Sequence, residues 1–337
     1  MTSGTLNFSD EGSTSKTKLI LDLDTGIDDT LAIIYALATP DADLLGITGT
    51  IGNVSMDLGI KNDLDILAMF GRETVPVYRG IDHVSTSEEV YQPTWFEHAL
   101  WHGHNGVGEM KIPATASRQC EQESAVDFII DSVRRYPAGE VVVVPTGAST
   151  NIAAALKKAP DIVDKIKIVT MGGSLTQPGN ASPFAEANAF TDPEATNYMY
   201  STNADITMVG LDVTMQALLT EEEVNELKGI DTETAHFLAG MLDYYLRVSK
   251  ENDPAYQGGC NLHDPLSVAV AIDPTLVETF PINLMCETEG PGRGRTIGDP
   301  SRLLAEPKNT KVALTVDRDR FKQQFLFYLY NIARASR

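Results

Sequence analysis

The segment Asp22-Leu23-Asp24-Thr25-Gly26-Ile27-Asp28-Asp29 gathers four carboxylates around one glycine within eight residues. It follows the apolar run Leu19-Ile20-Leu21 and precedes Leu31-Ala32-Ile33-Ile34-Tyr35-Ala36-Leu37, so it reads as strand, tight turn and helix start. A helix N-terminus accommodates one or two anions through its unpaired N–H groups and its dipole. Four acids in that span repel one another, and burial would push their pKa values up unless a cation neutralises them. A hard divalent cation held by oxygen ligands resolves the conflict. Helix capping alone explains one or two of the acids and leaves the rest without a purpose. An EF-hand loop is excluded, because the glycine falls one place early and the fifth position, Gly26, carries no side-chain oxygen.

Other residues of this kind are scattered along the chain. His263-Asp264-Pro265 precedes the apolar helix pattern Leu266-Ser267-Val268-Ala269-Val270. Asp264 either caps that helix or adds a ligand to the cation, and His263 is then an acid beside it. The stretch 179–188 holds Asn180, Glu186 and Asn188 in a long polar loop. Such side chains either bind the hydroxyls of a sugar or hold a surface loop through its own turns. His102-Gly103-His104-Asn105-Gly106-Val107-Gly108, with Trp95, Phe96 and Trp101 upstream, reads as a mobile flap bearing aromatics. His83, His98 and His236 read as surface or packing residues.

These groups need a scaffold. β-Branched runs at 44–50, 75–78, 141–144, 167–171 and 206–209 alternate with helical patterns at 57–70, 124–136, 150–158 and 194–200. The alternation predicts an α/β fold of right-handed βαβ units, an open and mainly parallel sheet flanked by helices. Val141-Val142-Val143-Val144 is apolar throughout, as a strand buried on both faces requires. A long helix over 233–250, a polar loop to Leu262, strands at 282–287 and 311–316 and a helix over 321–335 complete the chain. In such a sheet ligands bind beyond the carboxyl ends of the strands. Polar, glycine-bearing segments recur there: 22–29, 52–53, 145–147, 172–188 and 212–214.

A chain of 337 residues with 42% hydrophobic and 22% charged residues supports one large core, and a single domain over 17–337 is expected. Residues 1–16 read as a flexible tail without an apolar signal core. A formal net charge of −21 argues against a nucleic-acid polymer as partner. No run of eighteen apolar residues occurs, so no membrane span is expected. Cys120, Cys260 and Cys286 are too scattered for a zinc site or disulfide framework, which suits a cytoplasmic protein.

In these segments the chain resembles the inosine–uridine-preferring nucleoside hydrolase family. The resemblance rests on 22–29, Gly52-Asn53, Val144-Pro145-Thr146-Gly147 with Thr150-Asn151-Ile152-Ala153, Met171-Gly172-Gly173, and Gly179-Asn180 with Ala185-Glu186-Ala187-Asn188. Asp192-Pro193-Glu194-Ala195, His263-Asp264-Pro265, and the regions 292–296 and 316–321 extend it from about residue 18 to the end. It implies a Rossmann-like fold and a Ca²⁺-dependent enzyme of base salvage that cleaves ribonucleosides to free base and ribose, as a homodimer or homotetramer. By the resemblance, Asp24, Asp29 and Asp264 bind calcium through carboxylates and Thr146 through its carbonyl. The calcium holds the ribose cis-diol, aided by Asp28 and Asn188, and the attacking water. Asn180 and Glu186 hold the 5′-hydroxyl, Asn53 and Asp22 orient the neighbouring groups, and Met171 contacts substrate. His102 and Tyr245 line the base pocket, and His263 donates a proton to the departing base. Breaking a C–N glycosidic bond passes through an oxocarbenium-like cation that nearby carboxylates stabilise. Asp24 is the expected general base.

The chain departs from the family pattern at Thr25, where proline is usual, and at Ala187, Met215 and Ser249 near the base pocket. Base preference therefore stays open. Two other readings compete. A Mg²⁺-dependent haloacid-dehalogenase-like phosphatase would use Asp22 as nucleophile, but leaves Asp28-Asp29 and His263-Asp264-Pro265 unexplained. A non-catalytic nucleoside- or ribose-binding protein would use the same cradle without turnover.

Overall fold

β-Branched and leucine-rich runs alternate with amphipathic stretches along the chain, and each becomes a strand or helix near its expected place. The computed structural model describes residues 16–93 and 101–335. Trp95, Phe96, His98 and all of the expected tail but Lys16 lie outside those residues. In chain order, β1 (Thr17–Leu23) leads to α1 (Ile27–Ala38), β2 (Ala42–Gly49), α2 (Met56–Met69) and the short β3 (Val77–Tyr78). Next come α3 (Ala125–Arg135), β4 (Val141–Pro145), α4 (Thr150–Lys158), β5 (Lys167–Met171), α5 (Ala187–Thr191), α6 (Pro193–Ser201) and β6 (Asp205–Val209). The last third holds α7 (Leu211–Thr214), β7 (Leu218–Thr220), α8 (Glu221–Lys228), α9 (Glu233–Asn252), β8 (Gly259–Asn261) and α10 (His263–Ile272). It ends with β9 (Val277–Pro281), β10 (Leu284–Cys286), β11 (Thr296–Gly298), β12 (Thr310–Val316) and α11 (Arg318–Arg334).

Eight strands form one sheet in the order β3-β2-β1-β4-β5-β6-β12-β9. Every pairing in it is parallel except β12 with β9. Neighbouring residues of a strand point to opposite faces, and the core follows suit. Leu19, Leu21, Val142 and Val144 join a cluster with α1, α9, α10 and α11, whereas Ile20, Val141 and Val143 join another with α3, α4 and α6. Truncating one of these fully buried side chains, such as Leu21→Ala, costs about 2–5 kcal/mol. Helix α1 starts where the Asp29 carboxylate accepts the Gly26 N–H at 2.8 Å, and it ends at Ala38, two residues before Pro40. Among the described residues no helix is long and apolar enough to cross a membrane.

Several expectations needed correction near the C-terminus. The expected strand at 282–287 is β10, which pairs with β11 in a separate two-stranded sheet. The antiparallel edge of the main sheet is β9, whose mostly exposed side chains carry no buried-strand signature. The polar loop before Leu262 contains β8, paired with β7, and α8 was not anticipated. The strand expected over 75–78 shrinks to Val77–Tyr78, since Pro76 has no N–H to give to a ladder.

Candidate active site

From β1 the chain steps outward to β2 and β3, and from β4 it steps the other way to β5 and β6. The crevice beyond the carboxyl ends of β1 and β4 is thus the point where the winding reverses, the preferred ligand site of an open parallel sheet. Asp22 pairs with Pro145 in register there, and the Thr146 N–H donates to the Asp22 carbonyl at 2.9 Å. Asp24 lies just past β1, Asp28 and Asp29 open α1, and Asp264 sits in the first turn of α10.

All five acids are buried, with Asp28 the most accessible at 6%. Asp22 Oδ1 accepts from Thr48 Oγ1 at 2.6 Å and from Asn151 Nδ2 at 2.8 Å. Asp24 Oδ2 accepts the Asn53 N–H at 2.6 Å, while its Oδ1 is buried without a hydrogen-bond partner. Asp29 Oδ1 accepts from Thr146 Oγ1 at 2.7 Å, and Asn53 Nδ2 approaches Oδ2 at 3.4 Å. Asp28 Oδ1 is also buried without a hydrogen-bond partner, and a carboxylate oxygen of Asp264 lies within 4.8 Å of one on Asp28. Gly52 passes so close that a Cβ there would fall 1.8 Å from Asp24 Oδ2. Burial pushes Asp22, Asp28 and Asp29 up to about 6, with mutual repulsion adding to Asp29. Asp24 and Asp264 rise well above the carboxylate range, first by burial and then through their charged neighbours.

One ligand oxygen from each of Asp28, Asp29 and Asp264 falls within 4.8 Å of the others, so these three buried acids could hold a metal ion. Expectation put Asp24 in that set and Asp28 on the sugar; the structure places Asp28 in the cluster and Asp24 beside it. The donors fit a hard cation such as calcium: they are buried carboxylate oxygens, and of the five acids Asp22 Oδ2, Asp24 Oδ1 and Asp28 Oδ1 have no hydrogen-bond partner. The Thr146 carbonyl accepts from Asn188 Nδ2 at 2.6 Å and keeps a second lone pair.

A cavity of about 420 Å³ opens above the acids, in the size range of small-molecule sites. Asn53, Asn180, Glu186 and Asn188 line it, and Met171 Sδ lies 3.3 Å from Asn188 Nδ2. Glu186 caps α5: Oε1 accepts the Asn188 N–H, and Oε2 accepts the Gly173 and Ala189 N–H groups. Three of about four lone-pair sites are thereby used, leaving room for one further donor. Burial raises this carboxyl to about 6. Asn180 Oδ1 accepts the Ala187 N–H at 3.0 Å.

His102, Tyr245 and His263 line the same cavity. His102 is not on a free flap. Its Nδ1 accepts the Ile27 N–H at 3.0 Å at the start of α1, and Asn105 knits 105–110 through Val107, Glu109 and Met110. Its ring lies 5.8 Å from that of Tyr245. His263 Nδ1 meets Thr214 Oγ1 at 2.8 Å. Burial lowers both imidazoles to about 4, so both are neutral near pH 7. Met215, Ser249, Asn252, Gln257 and Asn261 line the cavity as well. Of these, sequence reading singled out only Met215 and Ser249. Asn151 escaped as well: its amide donates to Asp22 and the Gly49 carbonyl and accepts the Ile81 N–H, tying three strand ends together. The preceding Thr150 caps nothing with its side chain, which instead donates to buried Asp192. Asp63 accepts from Thr25 Oγ1, so the threonine that replaces the usual proline serves a buried acid. A larger, shallower depression near Arg79, Lys157 and Lys158 has no acid cluster, and Asp57, Asp82 and Asp127 pair with Arg79 and Lys158.

Comparison with known proteins places this site in context. The solved structure of a purine-preferring ribonucleoside hydrolase from Gardnerella vaginalis is 50% identical with a TM-score of 0.90, covering 95% of this chain and 100% of that one. The inosine-uridine preferring nucleoside hydrolases of Crithidia fasciculata and Leishmania major are 34% and 36% identical, each over 90% of this chain and 94% of its own length. The family model for inosine-uridine preferring nucleoside hydrolases matches residues 19–323, from β1 into α11, so the acids at the strand ends and the helices that carry their partners lie within the match. With fold, acid cluster and match in agreement, the chain belongs to the inosine-uridine preferring nucleoside hydrolase family.

Proposed function

We infer that this nucleoside hydrolase cleaves the N-glycosidic bond of ribonucleosides in the cavity above Asp24, Asp28, Asp29 and Asp264, with calcium held by Asp24, Asp29, Asp264 and the Thr146 carbonyl. The observation that carries the reading is the pair of buried, unpartnered oxygens, Asp24 Oδ1 and Asp28 Oδ1, beside an acid cluster that is costly to ionise. Bound calcium would supply a fixed positive centre that orients the sugar diol and makes a water easier to deprotonate. The family match decides for glycosidic-bond hydrolysis over the phosphatase and binding-only readings.

The chain's own groups divide the work. Asp28 and Asn188 hold the 2′- and 3′-hydroxyls, and Glu186 with Asn180 takes the 5′-hydroxyl through its remaining lone pair. Met171 lies under the sugar, and Asn53 and Asp22 keep the neighbouring acids in place. Asp24, beside the attacking water, takes its proton. The surrounding carboxylates favour the positive charge that grows on the ribose as the bond lengthens. His263, neutral in the free enzyme, serves the leaving base as an N–H donor oriented by Thr214 rather than as a standing cation. His102 and Tyr245 shape the base pocket.

Purine nucleosides are the proposed preference. The small side chains of Ala187 and Ser249 line the cavity, and the Gardnerella relative is named as purine-preferring. The assembly is proposed as a cytoplasmic homodimer or homotetramer, to be read from the mass in solution. A panel of purine and pyrimidine ribonucleosides, assayed for free ribose with and without a calcium chelator, tests the whole. Release of ribose that calcium alone restores is the expected result; turnover unaffected by chelation would remove the metal. A 2′-deoxynucleoside should react poorly, because a diol oxygen is missing.

A further inference from the structure

The residues 292–296 belong to the hairpin outside the main sheet, and nothing in the reaction described above uses them. Their contacts converge on one place. Arg295 Nη1 donates to the Gln177 carbonyl at 2.8 Å and the Phe184 carbonyl at 3.2 Å, and Nη2 donates to the Leu175 carbonyl at 2.7 Å. Leu175 and Gln177 lie on the outgoing limb of the loop 172–186, and Phe184 lies on the returning limb. One guanidinium therefore closes the loop from outside. Thr296 Oγ1 fastens the loop's root, donating to the Ser174 carbonyl and accepting its N–H. Gly294, at φ +84°, lets the hairpin lie against Phe190 and Ala185, where a Cβ would come within 2.8 Å of the Phe190 backbone.

The loop has neither helix nor strand from 172 to 186 to fix its shape. Yet it carries Asn180 and Glu186, and Asn180 lies between the two limbs that Arg295 joins. We propose that Arg295 is a positioning residue: by gripping both limbs of the loop it sets the polar end of the cavity and thereby the discrimination for a ribose 5′-hydroxyl, a role that rests on the site reading given above. The planar fork matters, since its donors point in fixed directions, whereas a lysine ammonium reaches one carbonyl at a time.

The test compares wild type, Arg295→Ala, Arg295→Lys and Arg293→Ala. Arg293 belongs to the same hairpin but pairs with Glu194 and touches none of the loop carbonyls. Two readouts are taken: kcat/KM for inosine against its 5′-deoxy analogue, and hydrogen exchange of the amides 174–186. In Arg295→Ala the preference for the 5′-hydroxyl should fall roughly tenfold, the worth of one misplaced hydrogen bond, with faster exchange in the loop and none in the sheet. Arg295→Lys should show the same pattern more weakly and serves if the alanine variant does not fold. Arg293→Ala should leave the 5′ preference unchanged. Unaltered loop exchange in both Arg295 variants, or equal losses on both substrates, would overturn the proposal. A wild type that releases no ribose from inosine would instead strike the site reading, and the exchange measurement would still judge the clamp.

Discussion

The two ends of the cavity are built differently. At the acid end the aspartates lie at the end of β1 or in the first turns of α1 and α10, and Asp22, Asp24 and Asp29 are at most 1% exposed. At the end proposed for the base, Ser249, Asn252, Gln257 and Asn261 come from the end of α9, the following loop and the short β8. The acid end leaves no tolerance, as the approach of Gly52 to Asp24 shows. The base end can vary one side chain at a time. A family that shares one reaction and differs in base preference is what such a division permits.

Breaking the acid end should cost most. Asp24→Ala should cut ribose release by about a thousandfold or more, the usual scale for a lost general base with its electrostatic partner. Near-normal turnover would remove Asp24 from that role. Next, His263→Ala should slow nucleosides by about a hundredfold but an activated nitrophenyl riboside by far less, because that leaving group needs no donor. Equal losses would end the donor assignment. Asp264→Asn should weaken calcium binding by roughly ten- to a hundredfold, seen by calorimetry, with activity partly recovered at high calcium. At the base end the effects shrink. Ser249→Tyr should move the purine-to-pyrimidine ratio of kcat/KM by less than about tenfold while leaving calcium affinity alone. A change in calcium affinity would show that the ends are not separable.

The smallest effect is on stability. Burial raises Asp22, Asp28 and Asp29 to about 6 in the free protein. A raised carboxyl pKa means the native state holds protons longer than the unfolded chain, so this contribution is complete below about pH 4 and lost as pH rises through about 6. His102 and His263, lowered to about 4, act oppositely: their contribution is present above the ordinary histidine pKa and lost as pH falls toward 4. Asp24, Asp63, Asp264 and Glu186 are raised by burial as well, so the acids outweigh the two histidines, and the chelated protein should melt higher at pH 5.5 than at pH 7.5. Calcium should abolish or reverse that order, because it binds the ionised acids. Thermal scans in calcium and in chelator at the two pH values decide it.

What could be read in the sequence follows the same division. The strands β1, β4, β5 and β6 announce themselves by β-branched runs, and the turn 22–29 by its density of acids. β9 hid because an edge strand with exposed side chains has no periodic apolar face. Asn151 and Asp63 hid because their partners lie 129 and 38 residues away, and one amide or acid on a helix gives no local sign of its bond. Asp28 was visible as an acid, yet its meeting with Asp264 depends on how α1 and α10 start side by side. The neutral state of both imidazoles was also out of reach, since it comes from burial and not from sequence neighbours.

Asn151 has one more consequence. Its amide links the ends of β1 and β2 to the segment after β3, at the centre of the sheet. Parts of a protein anchored in its most protected hydrogen bonds come apart only when the whole molecule does. Heat should therefore switch this enzyme off and melt it at one and the same temperature.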